Sequence, residues 1–195
     1  MDVRRFFPSP RLPVHNTEDV RGAAVFGTPK AMFRYALLRE WSDGPRAVAF
    51  CGVNPSTATE DMDDPTVKRC WQFARRWGYD RMVMLNAFAF RSTDPNGLDD
   101  AEDPVGPDND VWLLRIHSEV EKTVVAWGNN VTRLPGRHER VLTVLSAAKT
   151  PIVAFDVTND GYPKHPLSRG LHRIPDTAVP KPYVFNVGGA RLVAS

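Results

Sequence analysis

The sequence predicts an α/β fold, a three-layer α/β/α sandwich built on a central, mainly parallel sheet. Three observations predict it. Apolar runs of strand length alternate with segments whose apolar residues recur at three- and four-residue spacing. The runs are apolar throughout, as in strands covered on both faces. Polar residues gather just after the runs, at the carboxyl ends where open α/β sheets bind ligands. The 195 residues suffice for one full core, and 42% hydrophobic with 25% charged residues is ordinary for a globular domain.

The elements follow in order. Residues 1–32 are Pro-rich and poorly periodic, which reads as an irregular arm. Phe33–Trp41 reads as a strand entering a hairpin at Ser42-Asp43-Gly44-Pro45, with Ala47–Cys51 as the next strand. Asp64-Pro65 opens a helix, Asp as N-cap and Pro at the first position. That helix runs to Trp77, stops at Gly78, and carries an apolar face of Val67, Cys70, Trp71, Ala74 and Trp77. A strand begins at Met82–Leu85 and continues through Asn86 to Phe90. A helix from about Asp108 to Glu121 is expected to face inward with Val111, Leu114, Ile116 and Val120. Thr123–Trp127 is a strand, Leu134–Ala148 a helix, and Pro151–Val157 the last strand. The α/β domain is thus placed at residues 33–175, and residues 176–195 form a Pro-rich tail.

Charge and composition narrow the function. The net charge is +2, from 25 basic and 23 acidic residues, which is no strong footprint for nucleic acid. Local clusters nevertheless make Arg69, Arg76, Arg137 and Arg169 candidate phosphate contacts for single-stranded DNA; the other reading is solvated helix and loop faces. No apolar stretch is long enough to span a membrane, and the opening residues lack the apolar core of a signal peptide, so a cytoplasmic protein with no membrane partner is expected. Cys51 and Cys70 form no Cys-x-x-Cys pair, which argues against a disulfide framework or zinc site. No metal and no cofactor is called for, and oligomeric state is left open.

Four polar features stand at successive strand ends. They are Gly52-Val53-Asn54-Pro55-Ser56, then Asn86 with Arg91, then Trp127-Gly128-Asn129-Asn130, then the segment Asn159 to Pro166 with His165. In a parallel sheet these converge on one edge. An Asn amide offers a donor and an acceptor side by side, so it can read a ring carbonyl beside a ring N–H. A His can donate to a second carbonyl or to a developing oxyanion. Phe88 or Tyr162 could stack on a base, although ordinary core packing is the stronger reading for both. Together the groups suggest a pocket for a nucleobase or nucleotide.

The motifs also carry a resemblance. Gly52 to Ser56, Val83-Met84-Leu85-Asn86-Ala87, Val124 to Gly128 and His165-Pro166-Leu167-Ser168 resemble, in order and approximate spacing, four motifs of the uracil-DNA glycosylase superfamily. A closer resemblance is to the domain of unknown function 1643. It rests on Asn54 to Ala58, Asp63 to Thr66, Arg76 to Tyr79, Asn86 to Arg91, Asp103 to Asp110, Ala126-Trp127-Gly128 and Asp160 to Pro166. That second resemblance implies family membership over about residues 33–170 and no particular chemistry.

The glycosylase resemblance implies a glycosylase-like fold and roles residue by residue. Asn54 would position a water, Asn86 would read the base edge, and His165 would stabilise charge on a base carbonyl. Gly52, Pro55, Ser56, Arg91, Trp127 and Gly128 would complete the substrate site. Ser56 departs from the glycosylase pattern, which has Gly there, and the second Pro of the last motif is missing. Asp63 is a further catalytic candidate, able to orient water or bind a cation; an ion pair with Arg91 is the structural alternative. Asp64 is read as the helix cap. The expected function is nucleobase or nucleotide recognition, extended to N-glycosidic cleavage. The alternatives are a binding module without turnover, and an enzyme acting on a non-nucleic small molecule through Asp63, Arg91 and His165.

Overall fold

The computed structural model describes residues 2–9, 11–17, 19–28, 32–186 and 189–192; the remaining positions of the expected arm and tail lie outside the described residues. The strands are β1 (Leu12–Pro13), β2 (Arg21–Phe26), β3 (Arg34–Glu40), β4 (Ala47–Gly52), β5 (Arg81–Asn86), β6 (Thr123–Val125), β7 (Ile152–Ala154), β8 (Lys181–Asn186) and β9 (Gly189–Leu192). The α-helices are α1 (Pro65–Arg76), α2 (Asn109–His117) and α3 (Arg137–Ser146). The strands form one sheet in the order β1-β2-β3-β5-β4-β6-β7-β8-β9.

The fold is α/β, but the sheet is mixed rather than mainly parallel. Among the described residues only β5-β4-β6-β7 run parallel, through three pairings, and the other five pairings are antiparallel. The parallel centre is what the apolar runs and their helical crossovers dictate. The antiparallel wings come from segments read as arm and tail. β1 and β2 lie within residues 1–32, and β8 and β9 within 176–195. β1 and β9 are short and prolines stand in β1 and β8, while β2 is a six-residue strand without proline that the sequence pattern alone leaves unmarked.

The expected hairpin at Ser42–Pro45 is also corrected, because β5 inserts between β3 and β4. Asp80 explains how so short a connection bridges a strand. Its carbonyl accepts from the Trp41 and Ser42 N–H groups, its own N–H donates to the Arg46 carbonyl, and its carboxylate accepts from the Arg46 N–H. The connection therefore arches over the start of β5.

Side chains alternate cleanly across the sheet. On β4, Val48 and Phe50 pack with Val67, Cys70, Phe73 and Ala74 of α1. Ala49 and Cys51 face the other way, with Leu113 and Ile116 of α2 and Val141, Leu142 and Leu145 of α3. α1 starts as predicted: the Asp64 carboxylate accepts from the Val67 N–H at 2.8 Å, and Gly78 follows the helix at φ +77°. On α2 the expected inner face is corrected in part: Ile116, and Val120 just beyond the helix, are buried as expected. Val111 and Leu114 are exposed, while Asn109, Leu113, Ile116 and His117 are buried. Counting 3.6 residues per turn from Leu113 leads to the second set and away from the first.

Candidate functional site

One cavity of about 380 Å³ opens at the carboxyl edge of the parallel strands. All four contribute: Met84 and Asn86 from β5, Gly52, Asn54 and Ser56 from β4 and its loop, Trp127 and Gly128 after β6, Thr158 and His165 after β7. The start of α1 adds Asp64, Thr66 and Val67. β3 runs antiparallel to β5, so its amino end reaches the same edge and delivers Arg34.

Asn86 ends β5 opposite Gly52 of β4 and is only 2% exposed. A Cβ at position 52 would come within 3.1 Å of Asn86 Oδ1 and 2.7 Å of Met84 Cε, so glycine makes room for the amide. Among the described residues Asn86 Nδ2, which is buried, meets no acceptor. The indole Nε1 of Trp127, 1% exposed, is likewise unpartnered. Arg34 is 1% exposed; its Nη1 donates to the Ala58 carbonyl and its Nε meets no acceptor among the described residues. Burial lowers the Arg34 pKa to about 10, and Asp64 partly offsets that. Three side chains thus bring buried, unanswered N–H donors to one cavity. Such groups cost on the order of 1–3 kcal/mol each when left unmet.

The acceptors come from Asn54, Asp64 and the hydroxyls. Asn54 Nδ2 donates to the Pro55 and Ser92 carbonyls at 3.1 and 2.9 Å, which turns the amide and leaves Oδ1 to accept. Asp64 uses Oδ1 as the helix cap while it lines the cavity. His165 is held by its loop. Gly128, at φ +63°, donates its N–H to the Pro163 carbonyl at 2.7 Å, and Lys164 pairs with Asp156. His165 Nδ1 accepts from the Leu167 N–H at 3.2 Å. The ring proton of the neutral form therefore sits on Nε2. Burial pushes the His165 pKa down, with Asp64 pulling the other way, so the ring favours its neutral, donating form.

Not every expected site residue arrives here. Pro55 is buried beside the cavity and offers its carbonyl to Asn54 and to the Ser92 N–H. Arg91 lies over the Phe26 ring, 5.5 Å from its centroid, and does not line the cavity. Asp63 is a structural anchor: Oδ1 accepts from Arg39 Nε and Oδ2 from Trp71 Nε1, both at 2.7 Å. Its ion-pair partner is Arg39 rather than Arg91. Phe88 is core.

Of the four candidate nucleic-acid arginines, Arg69 and Arg169 line one cleft, but the four together do not form one surface. Arg137 is buried, with Nε donating to the Ala87 carbonyl and Nη1 paired with Asp110 at 2.7 Å. Arg69 and Arg76 belong to α1, on the opposite face of the sheet from α3, and bind Asp176 through its side chain and its carbonyl. Arg69 also donates to the Ile174 carbonyl. Arg169 is exposed in the loop beyond His165.

Two site residues were missed. Asp64 was read as a cap alone, although a cap at the start of a crossover helix faces the strand ends by construction. Arg34 heads a fully buried strand, and a cation in that position was the available signal. Among the described residues no His, Cys, Asp and Glu group is arranged to hold a metal ion, and no helix is long and apolar enough to cross a membrane.

The chain belongs to the family described as protein of unknown function (DUF1643), whose sequence profile matches residues 34–167, more than two-thirds of its length. No curated protein and no solved structure matches the chain. The matched span holds the parallel centre of the sheet together with nearly every residue lining the cavity.

Proposed function

We propose that this member of the family binds a nucleobase-bearing molecule in the cavity and hydrolyses its N-glycosidic bond. The observation that carries the reading is the pair of buried donors, Asn86 Nδ2 and Trp127 Nε1, on residues that line one concave site and with no acceptor among the described residues. A ring with two carbonyls flanking an N–H answers them: Asn86 donates to a carbonyl and accepts from the ring N–H. The motifs that resemble uracil-DNA glycosylases supply Gly52, Asn54, Asn86, Trp127 and His165, and all five line the cavity.

The chemistry assigns one role to each polar group. A water held by Asn54 Oδ1 attacks the anomeric carbon of the sugar, and its proton passes to the Asp64 carboxylate. The C–N bond breaks and its electron pair delocalises onto the base, toward a ring carbonyl oxygen. His165 Nε2–H donates to that oxygen as charge develops. Asp63 has no part, because both of its oxygens are engaged elsewhere.

The test is calorimetric binding of free bases and nucleosides, followed by chromatography for released base. Asn86→Leu is expected to weaken binding of the preferred base by about tenfold or more, since it removes the donor and acceptor pair. Asp64→Asn keeps a good N-cap and is expected to slow release about 100-fold or more. Tight binding with no release from any nucleoside, nucleotide or oligonucleotide would replace the enzyme by a binding module. Absence of binding by every base and nucleoside would reject the pocket assignment.

A further inference from the structure

The donors of Asn86 and Trp127 suit a base, but Arg34 is a charge. Burying a guanidinium is costly unless a counter-charge and hydrogen bonds meet it. Among the described residues no carboxylate stands within ion-pair distance of Arg34, and its Nε is unanswered. The chief charges acting on it are one carboxylate, Asp64, and two guanidiniums, Arg91 and Arg39. Asp63 cancels Arg39. The balance at this end of the cavity is therefore one positive charge in excess, carried by a residue that lines the cavity.

We infer that Arg34 seats a phosphate monoester, so that the molecule taken up is a mononucleotide rather than a free base or a nucleic-acid strand. This deepens, and rests on, the reading of the cavity as a nucleobase site. A phosphate matches the planar fork of a guanidinium, which can present Nε and an Nη together. The monoester follows from depth. Arg34 is 1% exposed, so the anion must itself become buried. A monoester brings one substituent into that space; a diester within a strand brings two, each continuing to a further phosphate. Such a strand would need cations on either side, and of the four candidate arginines Arg137 is buried and tied to Asp110, Arg69 and Arg76 are tied to Asp176, and Arg169 is left as a single exposed cation.

The experiment compares ligands on the full chain by calorimetry and thermal shift: free base, nucleoside, nucleoside 5′-monophosphate, ribose 5-phosphate and inorganic phosphate. The monophosphate is expected to bind about tenfold to a hundredfold more tightly than its nucleoside, the range of a charge-assisted contact. Arg34→Met is expected to erase that difference, bringing the monophosphate to the affinity of its nucleoside for the same variant. Arg34→Lys is expected to restore part of it, and serves should the Met variant fail to fold. Equal affinity for nucleoside and monophosphate in the wild-type chain would overturn the inference while leaving the base site standing. Arg34-dependent binding of ribose 5-phosphate with no contribution from any base would do the reverse, keeping the anion seat and rejecting the base. An oligonucleotide binding more tightly than the mononucleotide would overturn the choice of monoester.

Discussion

Arg34 and Arg39 stand on one strand, five positions apart, and both are buried, yet the protein treats them differently. At the carboxyl end of β3, Arg39 Nε donates to Asp63 Oδ1, Nη1 to the Leu38 and Glu60 carbonyls, and Nη2 to the Thr59 and Met62 carbonyls. At the amino end, Arg34 has the Ala58 carbonyl and an Nε with nothing to donate to. Burial lowers the pKa of both, but only at Arg39 does a directly bonded carboxylate push back. A fold that can saturate one buried guanidinium can saturate another. The difference teaches that the chain secures the far end of β3 with its own groups and leaves the guanidinium at the cavity edge unsaturated, as the proposed anion seat requires.

The sharpest way to break this comparison is at Asp63. Asp63→Asn removes the charge facing Arg39 and leaves a buried cation with carbonyl partners alone. Losing one partner of a buried pair costs about 3–5 kcal/mol. Urea unfolding should record a loss of that order, with ligand binding in the folded protein unchanged. A loss below about 1 kcal/mol would mean that the five bonds of Arg39 do not anchor the 59–63 loop, and the contrast with Arg34 would fail.

Two histidines extend the comparison to the helical layers. His165 faces the cavity, whereas His117 is enclosed at the opposite edge, with Nδ1 2.7 Å from Thr123 Oγ1. Desolvation lowers the His117 pKa to about 4. Its unfolded value is near 6.5, so between these values the unfolded chain binds the extra proton. The stabilisation is complete above pH 6.5 and is lost as pH falls through 4. Its size is about 3 kcal/mol. The difference in unfolding free energy between wild type and His117→Gln, followed from pH 7 to pH 4, should shrink by that order. A difference independent of pH would show that His117 is not held neutral.

The centre of the fold was legible because its cause is local. Ala47–Cys51 and Met82–Leu85 are strands by composition, and Asp64-Pro65 starts a helix by capping chemistry. The strand-end residues Asn54, Asn86, Trp127 and His165 follow from that pattern, since parallel strands share an edge. What was not legible came from long-range pairing. Nothing local says that β5 separates β3 from β4, so β3 was read as one arm of a hairpin. That error hid Arg34: a search of carboxyl ends misses a residue at the amino end of an antiparallel strand, which reaches the same place. Asp63 and Asp64 were exchanged for a related reason. Adjacent carboxylates point in different directions, and only the fold shows that Asp63 turns to Arg39 and Trp71 while Asp64 turns to the cavity.

The smallest expected effect is the most discriminating. Arg34→Met removes a buried charge and its one carbonyl bond, and fills the space with an apolar side chain. The Ala58 carbonyl loses a donor, worth about 1 kcal/mol. Against this, the desolvation of an uncompensated guanidinium disappears, and apolar replacements of buried charges are often neutral or stabilising. The two terms oppose each other, so the unfolding free energy without ligand should change by no more than about 1 kcal/mol, in contrast to the loss at Asp63. With saturating mononucleotide the wild-type chain should gain stability by linkage and the variant much less. A loss at Arg34→Met as large as that at Asp63→Asn, measured without ligand, would make Arg34 a structural residue like Arg39. The asymmetry along β3 would then carry no functional meaning. A small loss without ligand, widening when ligand is added, would separate the two arginines on thermodynamic grounds, one held for the fold and the other for what the fold binds.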